Sequence, residues 1–157
     1  MNLKWKDLDK WDQRFLDLAK HISTWSKDPS TQVGAVIAND KEIVSLGYNG
    51  YPMYIKDEES NDTRDKKLSK IVHAEINAIL FARTNLLGFT LYTYPFMPCN
   101  NCMSIVIQAG IMRVVAPYSY ADRWQESFAI SRELCRKSDT ELLEINMLPE
   151  HDIGSRD

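Results

Sequence analysis

Trp11, Phe15, Leu18, Ala19 and Ile22 recur at intervals of one helical turn or its multiples, the spacing of a single buried helix face. The pattern predicts a first helix that stops before Asp28-Pro29, because the residue ahead of a proline is pushed out of helical geometry. Two β-branched runs follow, VGAVIAN over 33–39 and EIVSLGYN over 42–49, and Asp40-Lys41 between them predicts a hairpin. Residues 51–70 show no apolar period and mix acidic with basic side chains. They read as a solvated loop, or as a mobile flap over a site. From Ile71 the apolar positions Ile71, Val72, Ile76, Ile79 and Leu80 return to helical spacing as far as about Arg83. After Gly88, FTLYTY (89–94) predicts a strand, and Pro98 opens a short helix over Cys99–Gln108 that Gly110 closes. IMRVVAP (111–117) is a strand, Trp124, Phe128 and Leu134 mark a further helix, and ELLEI (141–145) is a last strand. Residues 147–157 read as a loose tail. The order αββαβαβαβ, without repeat or linker, predicts one α/β domain over 1–157 with helices packed on a five-stranded sheet.

Composition narrows the class. A chain of 157 residues with 44% hydrophobic and 26% charged positions can bury a sizeable core. Its net charge of −3 and pI of about 5.6 argue against a partner as polyanionic as nucleic acid, while leaving room for a local basic pocket that holds one phosphate. No apolar run approaches the roughly 20 residues needed to span a bilayer, and the start of the chain lacks the apolar stretch of a signal peptide. Three cysteines, two of them in Cys-x-x-Cys spacing, favour a metal or redox role over a disulfide scaffold. A cytoplasmic protein is expected.

Two segments carry the candidate chemistry. IVHAEINAIL (71–80) is apolar, yet it contains His73 and Glu75, two ionisable groups that are costly to bury without a purpose. In PFMPCNNC, Cys99 and Cys102 open a helix, where the unpaired amides and positive end of the helix dipole ease thiol ionisation and one ion can be reached by both sulfurs. His73 is the third donor this reading selects; His21, on the first helix, and His151, in the tail, are set aside. Three donors are one short of a closed structural zinc site, so water would take the fourth position and a nearby carboxylate, Glu75, would handle its proton. Other readings stay open at this level: a redox dithiol, or a structural zinc completed by Cys135 or His21.

His73-Ala74-Glu75 followed by Pro98-Cys99-Asn100-Asn101-Cys102 is similar to the H-x-E…P-C-x-x-C signature of zinc-dependent nucleobase deaminases. SKDPSTQVGAVI, GYNG (47–50), VHAEINAIL, PCNNC with IQAGI, and Tyr118-Ser119-Tyr120 before ADRW extend the likeness over nearly the whole chain, and it most resembles the cytidine/deoxycytidylate branch. The resemblance implies a three-layer α/β/α cytidine deaminase-like fold around a mixed five-stranded sheet. It also implies one zinc ion per chain held by His73, Cys99 and Cys102, with Glu75 as the proton shuttle. The implied reaction is hydrolysis of dCMP to dUMP and ammonia, a step toward thymidylate; another cytosine compound (cytidine, dCTP or a 5-substituted dCMP) is the alternative, and a tRNA-editing deaminase or a zinc module without catalysis follows behind. Asn49 aligns with a sugar-contacting asparagine, the Ala74 backbone with a position that orients the pyrimidine, and Tyr120 with a tyrosine near the 5′-phosphate. Relatives often form homo-oligomers, hexamers among them, and respond to dCTP and dTTP. Some carry a second zinc bound before the H-x-E helix, but residues 51–72 contain neither cysteine nor histidine.

Overall fold

A computed structural model describes residues 3–56 and 62–147. Strands β1 (Leu3–Lys4), β2 (Gly34–Asn39), β3 (Glu42–Tyr48), β4 (Thr90–Tyr94), β5 (Arg113–Pro117) and β6 (Glu141–Asn146) form one mixed sheet in the order β1-β6-β5-β4-β2-β3. The run β1, β6, β5, β4 is parallel, and the β2–β3 hairpin joins it antiparallel through β2. Among the described residues the sheet thus has six strands where the apolar pattern predicts five. The extra one, β1, is two residues long and pairs only at the edge with β6, too short to leave a period.

Helix α1 (Lys10–Ser23) covers one face of the sheet; α3 (Ala74–Ala82), α4 (Asn100–Gln108) and α5 (Gln125–Lys137) lie on the other. Strand alternation divides the core accordingly. Ala35, Ile37, Leu91 and Val114 pack with Ala74, Ala78, Met103 and Val106. Val36, Tyr92 and Val115 pack with Phe15, Leu16 and Ala19 of α1. Buried on both sides, β2 reads as the unbroken apolar run GAVIA rather than an alternating one. No helix among the described residues is long and apolar enough to cross a membrane.

Two boundaries differ from the sequence pattern. Residues Arg64–Lys70 form helix α2, capped by Thr63, within the stretch that reads as a loop. The helix is charged on most sides, so no apolar period announces it. The next helix does not begin at Ile71: Ile71 to His73 are extended, Val72 bridges Gly50, and α3 starts at Ala74 with His73 as its N-cap. The tail expected at 147–157 lies outside the described residues from position 148 onward. The predicted stop at Gly110 holds, since that glycine follows α4 with φ of 97°.

One glycine sets how closely α3 lies on the sheet. A Cβ on Gly47 would collide with the Ala74 carbonyl and sit 2.5 Å from the Ala78 nitrogen, both rigid backbone. Gly47→Ala is therefore expected to lift the start of α3 and cost about 1–3 kcal/mol or more, with loss of metal affinity as well as stability; chemical denaturation and zinc titration check both.

Across the sheet from α3, Asp12 is buried and accepts from Arg113 through two hydrogen bonds of 2.7 and 2.6 Å and from the Tyr92 hydroxyl at 2.6 Å. Burial alone would raise the Asp12 carboxyl, but the bonds from Arg113 and Tyr92 and the guanidinium charge outweigh it and hold the group below its ordinary 3.8. Because the native value is depressed, this stabilisation is complete above the ordinary value and is lost as pH falls through the lowered one. Asp12→Asn leaves a mostly buried guanidinium short of its carboxylate and is expected to cost about 3 kcal/mol at neutral pH. The gap to wild type should narrow in acid, read as urea midpoints at both pH values.

Candidate metal centre and nucleotide pocket

Two helix starts meet beyond the carboxyl end of β4. Pro95 to Pro98 lead from that strand to Cys99, the N-cap of α4, and His73 caps α3. Neither residue uses its side chain to cap its helix, so both donor atoms stay available. The start of α3 is tied to β3 by Ser45 Oγ donating to the Ala78 carbonyl at 2.7 Å and by Asn77 Nδ2 donating to the Tyr48 carbonyl at 2.8 Å. Paired backbone bonds between Val72 and Gly50, at 2.8 and 3.1 Å, fix the residue ahead of His73. Helix α5 holds the cysteine segment: Ser131 Oγ donates to the Pro98 carbonyl at 2.9 Å, and Ser127 Oγ accepts from the Asn100 amide at 2.9 Å.

His73 Nδ1 lies 3.7 Å from Cys99 Sγ and 3.2 Å from Cys102 Sγ, and the three donor atoms all fall within 4.8 Å of one another. A tetrahedral zinc with bonds of about 2.0 Å to nitrogen and 2.3 Å to sulfur separates a nitrogen from a sulfur donor by about 3.5 Å. The two observed separations straddle that value, so this donor set fits zinc. Among the described residues no fourth histidine, cysteine or carboxylate joins the group. Cys135 is buried in the sheet-to-helix core, and His21 sits beside Trp25 on the α1 side; a closed structural site completed by either is thereby ruled out. Cys99 and Cys102 are free thiols.

The electrostatics suit a cation. The hydrogen bond from the Cys102 thiol, then that with His73, draws the Cys99 thiol down to about 4 against the effect of burial. The same bond, with burial, holds the proton on Cys102. Cys99 in turn raises His73. Burial raises the carboxyl of Glu75, which is only 4% exposed and lies against Cys102. A metal ion would replace the shared proton as the positive partner of these sulfurs.

His73, Ala74, Glu75 and Cys99 line one pocket, together with Asn49 and the aromatic pair Phe96 and Trp124. Ala74 is fully buried. Asn49 is buried too, and much of its amide is already engaged: Oδ1 accepts from the Val33 amide and Nδ2 donates to the Thr31 carbonyl, both at 2.9 Å. It therefore shapes the 31–33 wall, and its Nδ2 keeps a second hydrogen beyond the one given to Thr31. Tyr120 is 55% exposed and lines a neighbouring cavity, which shares Ser30, Thr31, Phe96 and Trp124 with the first.

Sequence reasoning did not single out Asp28, Thr31 or Arg64 at this pocket, nor the two serines of α5. Asp28 Oδ1 accepts from Ser30 and Thr31 and pairs with Lys67 Nζ at 3.1 Å, which fastens α2 to the 28–31 turn. Burial opposes ionisation of Asp28, and the Ser30, Thr31 and Lys67 contacts reverse it, so its carboxyl is held below the ordinary value. The turn signal of Asp28-Pro29-Ser30 was visible in the sequence; its closure by a lysine 39 positions later was not.

A family model for the cytidine and deoxycytidylate deaminase zinc-binding region matches residues 9–117. An uncharacterized deaminase in the luxG 3′ region of Aliivibrio fischeri is 43% identical over 138 residues, covering 86% of this chain and 93% of that one. A probable deoxycytidylate deaminase of Caenorhabditis elegans is 42% identical over 134 residues, and the human deoxycytidylate deaminase 38% over 117. Those matches cover 82% and 69% of this chain but only 66% and 65% of the animal proteins. In three dimensions the dCMP deaminase of cyanophage S-TIM5 superposes with a TM-score of 0.68 at 20% identity, covering 85% of this chain and 96% of that one, and so shares its fold. That protein has also been solved in complex with dCMP and dUMP. With the matched segment spanning both helix starts and the three metal donors, the chain belongs to the cytidine and deoxycytidylate deaminase family.

Proposed function

We propose that this chain hydrolyses dCMP to dUMP and ammonia, with His73, Cys99 and Cys102 holding one zinc ion and Glu75 carrying protons. The observation that supports it most is the buried Glu75 carboxyl on the wall of the same pocket as two of the three metal donors. A non-catalytic zinc site has no use for that carboxylate.

When bound, zinc supplies the Lewis acidity that makes water a nucleophile near neutral pH. Everything else falls to the protein. The Glu75 carboxylate takes a proton from the attacking water and delivers it to N3 of the cytosine. The water oxygen bonds to C4, the bond from C4 to the amino nitrogen breaks, and Glu75 passes a further proton to the departing amine. Ala74 and Phe96 offer the apolar walls that hold a flat base and exclude bulk water. Asn49 directs its free amide hydrogen at the sugar, and Tyr120 serves the outer, phosphate-bearing end through the adjoining cavity.

The same reading treats the chain as one cytoplasmic domain acting on a small pyrimidine nucleotide rather than on nucleic acid. Self-association is supported by the outer residues of α3, where Leu80 and Phe81 are 62% and 51% exposed. Ammonia release from dCMP, cytidine, dCTP and 5-substituted dCMP, with and without added dCTP or dTTP, tests the proposal, and light scattering of the same sample reports the assembly. Purified protein is expected to carry about one zinc per chain and to prefer dCMP. Preference for cytidine or dCTP would move the substrate assignment, and absence of ammonia from all four would remove it.

A further inference from the structure

We propose that Arg64, on helix α2, is the residue that selects a 5′-phosphate monoester, a proposal that rests on the cytosine-nucleotide reading of the pocket. Arg64, Lys67 and Leu68 are three and four residues apart and share one face of α2. Arg64 and Leu68 line the pocket that contains Glu75. Lys67 is the fastener of that face: its ammonium is spent on Asp28 at 3.1 Å. Farther along the helix, Lys70 is spent on Asp62 at 2.9 Å. Arg64 has no ion-pair or hydrogen-bond partner among the described residues. It is thus the unneutralised cation at a pocket lined also by Asp28, Ser30 and Thr31.

The acid already at this mouth does not compensate Arg64. Asp28 accepts three hydrogen bonds around one oxygen and is paired with Lys67. A second observation points to an oxygen-bearing ligand. The indole Nε1 of Trp124 is the buried side-chain donor that lacks an acceptor among the described residues, and Trp124 lines the same pocket. Buried donors are nearly always satisfied, so an orphan beside a cavity marks a place where a ligand acceptor belongs. The Arg64 guanidinium and the Thr31 hydroxyl line this pocket with the buried indole N–H of Trp124, beside the apolar surfaces of Phe96, Leu68 and Ala74. That combination fits a nucleotide whose phosphate is bound through a forked, charge-assisted contact. Arg123 is the competing cation, but its guanidinium is already engaged, stacked on Trp124 at 5.1 Å and donating to Thr31 Oγ1 at 3.4 Å.

The test is calorimetric binding of dUMP, deoxyuridine and inorganic phosphate to the zinc-loaded protein, comparing wild type with Arg64→Ala, Arg64→Lys and Arg123→Ala. Wild type is expected to bind dUMP at least tenfold more tightly than deoxyuridine. Arg64→Ala should weaken dUMP by about 10–100-fold, the loss of one charge-assisted contact, with a far smaller shift for deoxyuridine. Arg64→Lys should restore part of the difference, and Arg123→Ala should keep most of it. Equal weakening of dUMP and deoxyuridine in Arg64→Ala, an unchanged preference, or a preference abolished by Arg123→Ala instead overturns the assignment. Because the readout is binding, it stands apart from turnover: a wild-type protein that releases no ammonia yet loses its phosphate preference in Arg64→Ala would refute the deaminase reading and leave this one intact.

Discussion

In Glu75→Gln, turnover of dCMP is expected to fall by about 10²–10⁴-fold while zinc content stays near one per chain. Glutamine keeps the length and shape of the side chain, so the buried pocket around this 4% exposed residue should hold its geometry. What disappears is the ability to accept and return a proton. Zinc analysis and dCMP binding on the same preparation separate this loss from collapse of the site: both should survive. If Glu75→Gln retained full activity with its metal, the proton path assigned to Glu75 would be wrong, and another base would have to be found.

Cys102→Ser is expected to act one step earlier. A serine hydroxyl does not ionise at neutral pH and is a poor zinc ligand, so metal content should drop well below one per chain and activity should vanish with it. Stability should fall as well, because metal bound only by the folded chain adds to folding free energy. Cys135→Ser provides the contrast. That cysteine is 2% exposed and packed in the core beside Val114 and Met103, so its replacement should lower stability while leaving the zinc in place. Retained zinc in Cys102→Ser, or lost zinc in Cys135→Ser, would break the assignment of ligands.

Much of this arrangement is readable from local pattern, and the remainder is hidden for identifiable reasons. Helix α1 is legible because burial of one face imposes a 3.6-residue period, and the β2–β3 hairpin because two β-branched apolar runs flank the short Asp40-Lys41 turn. The metal donors are legible because their spacing follows from a helix start that any chain must build in the same way. Helix α2 is not, because charge covers most of its surface and the contact between Lys67 and Asp28 that fastens it joins distant parts of the chain. Arg64 stays hidden for the same reason: nothing in RDKKLSK distinguishes the cation at the pocket from the cations in solvent or in ion pairs. The support of the cysteine segment by Ser127 and Ser131 is invisible in sequence, since a serine on a helix ordinarily faces water. The Asp12–Arg113 pair, 101 positions apart, exists only once the sheet has formed. Even the early start given to α3 has a physical source: Ile71 and Val72 are apolar at helical spacing, but Val72 is drawn out of the helix by its bridge to Gly50.

The central claim is that water supplied at this pocket replaces the amino group of dCMP. It is met most directly by incubating the zinc-loaded protein with dCMP in water enriched in oxygen-18 and following the product by mass spectrometry. The account predicts dUMP carrying one heavy oxygen on the base and one ammonia released per dUMP formed. Unlabelled dUMP, or dCMP left intact by protein that holds its zinc, would contradict it.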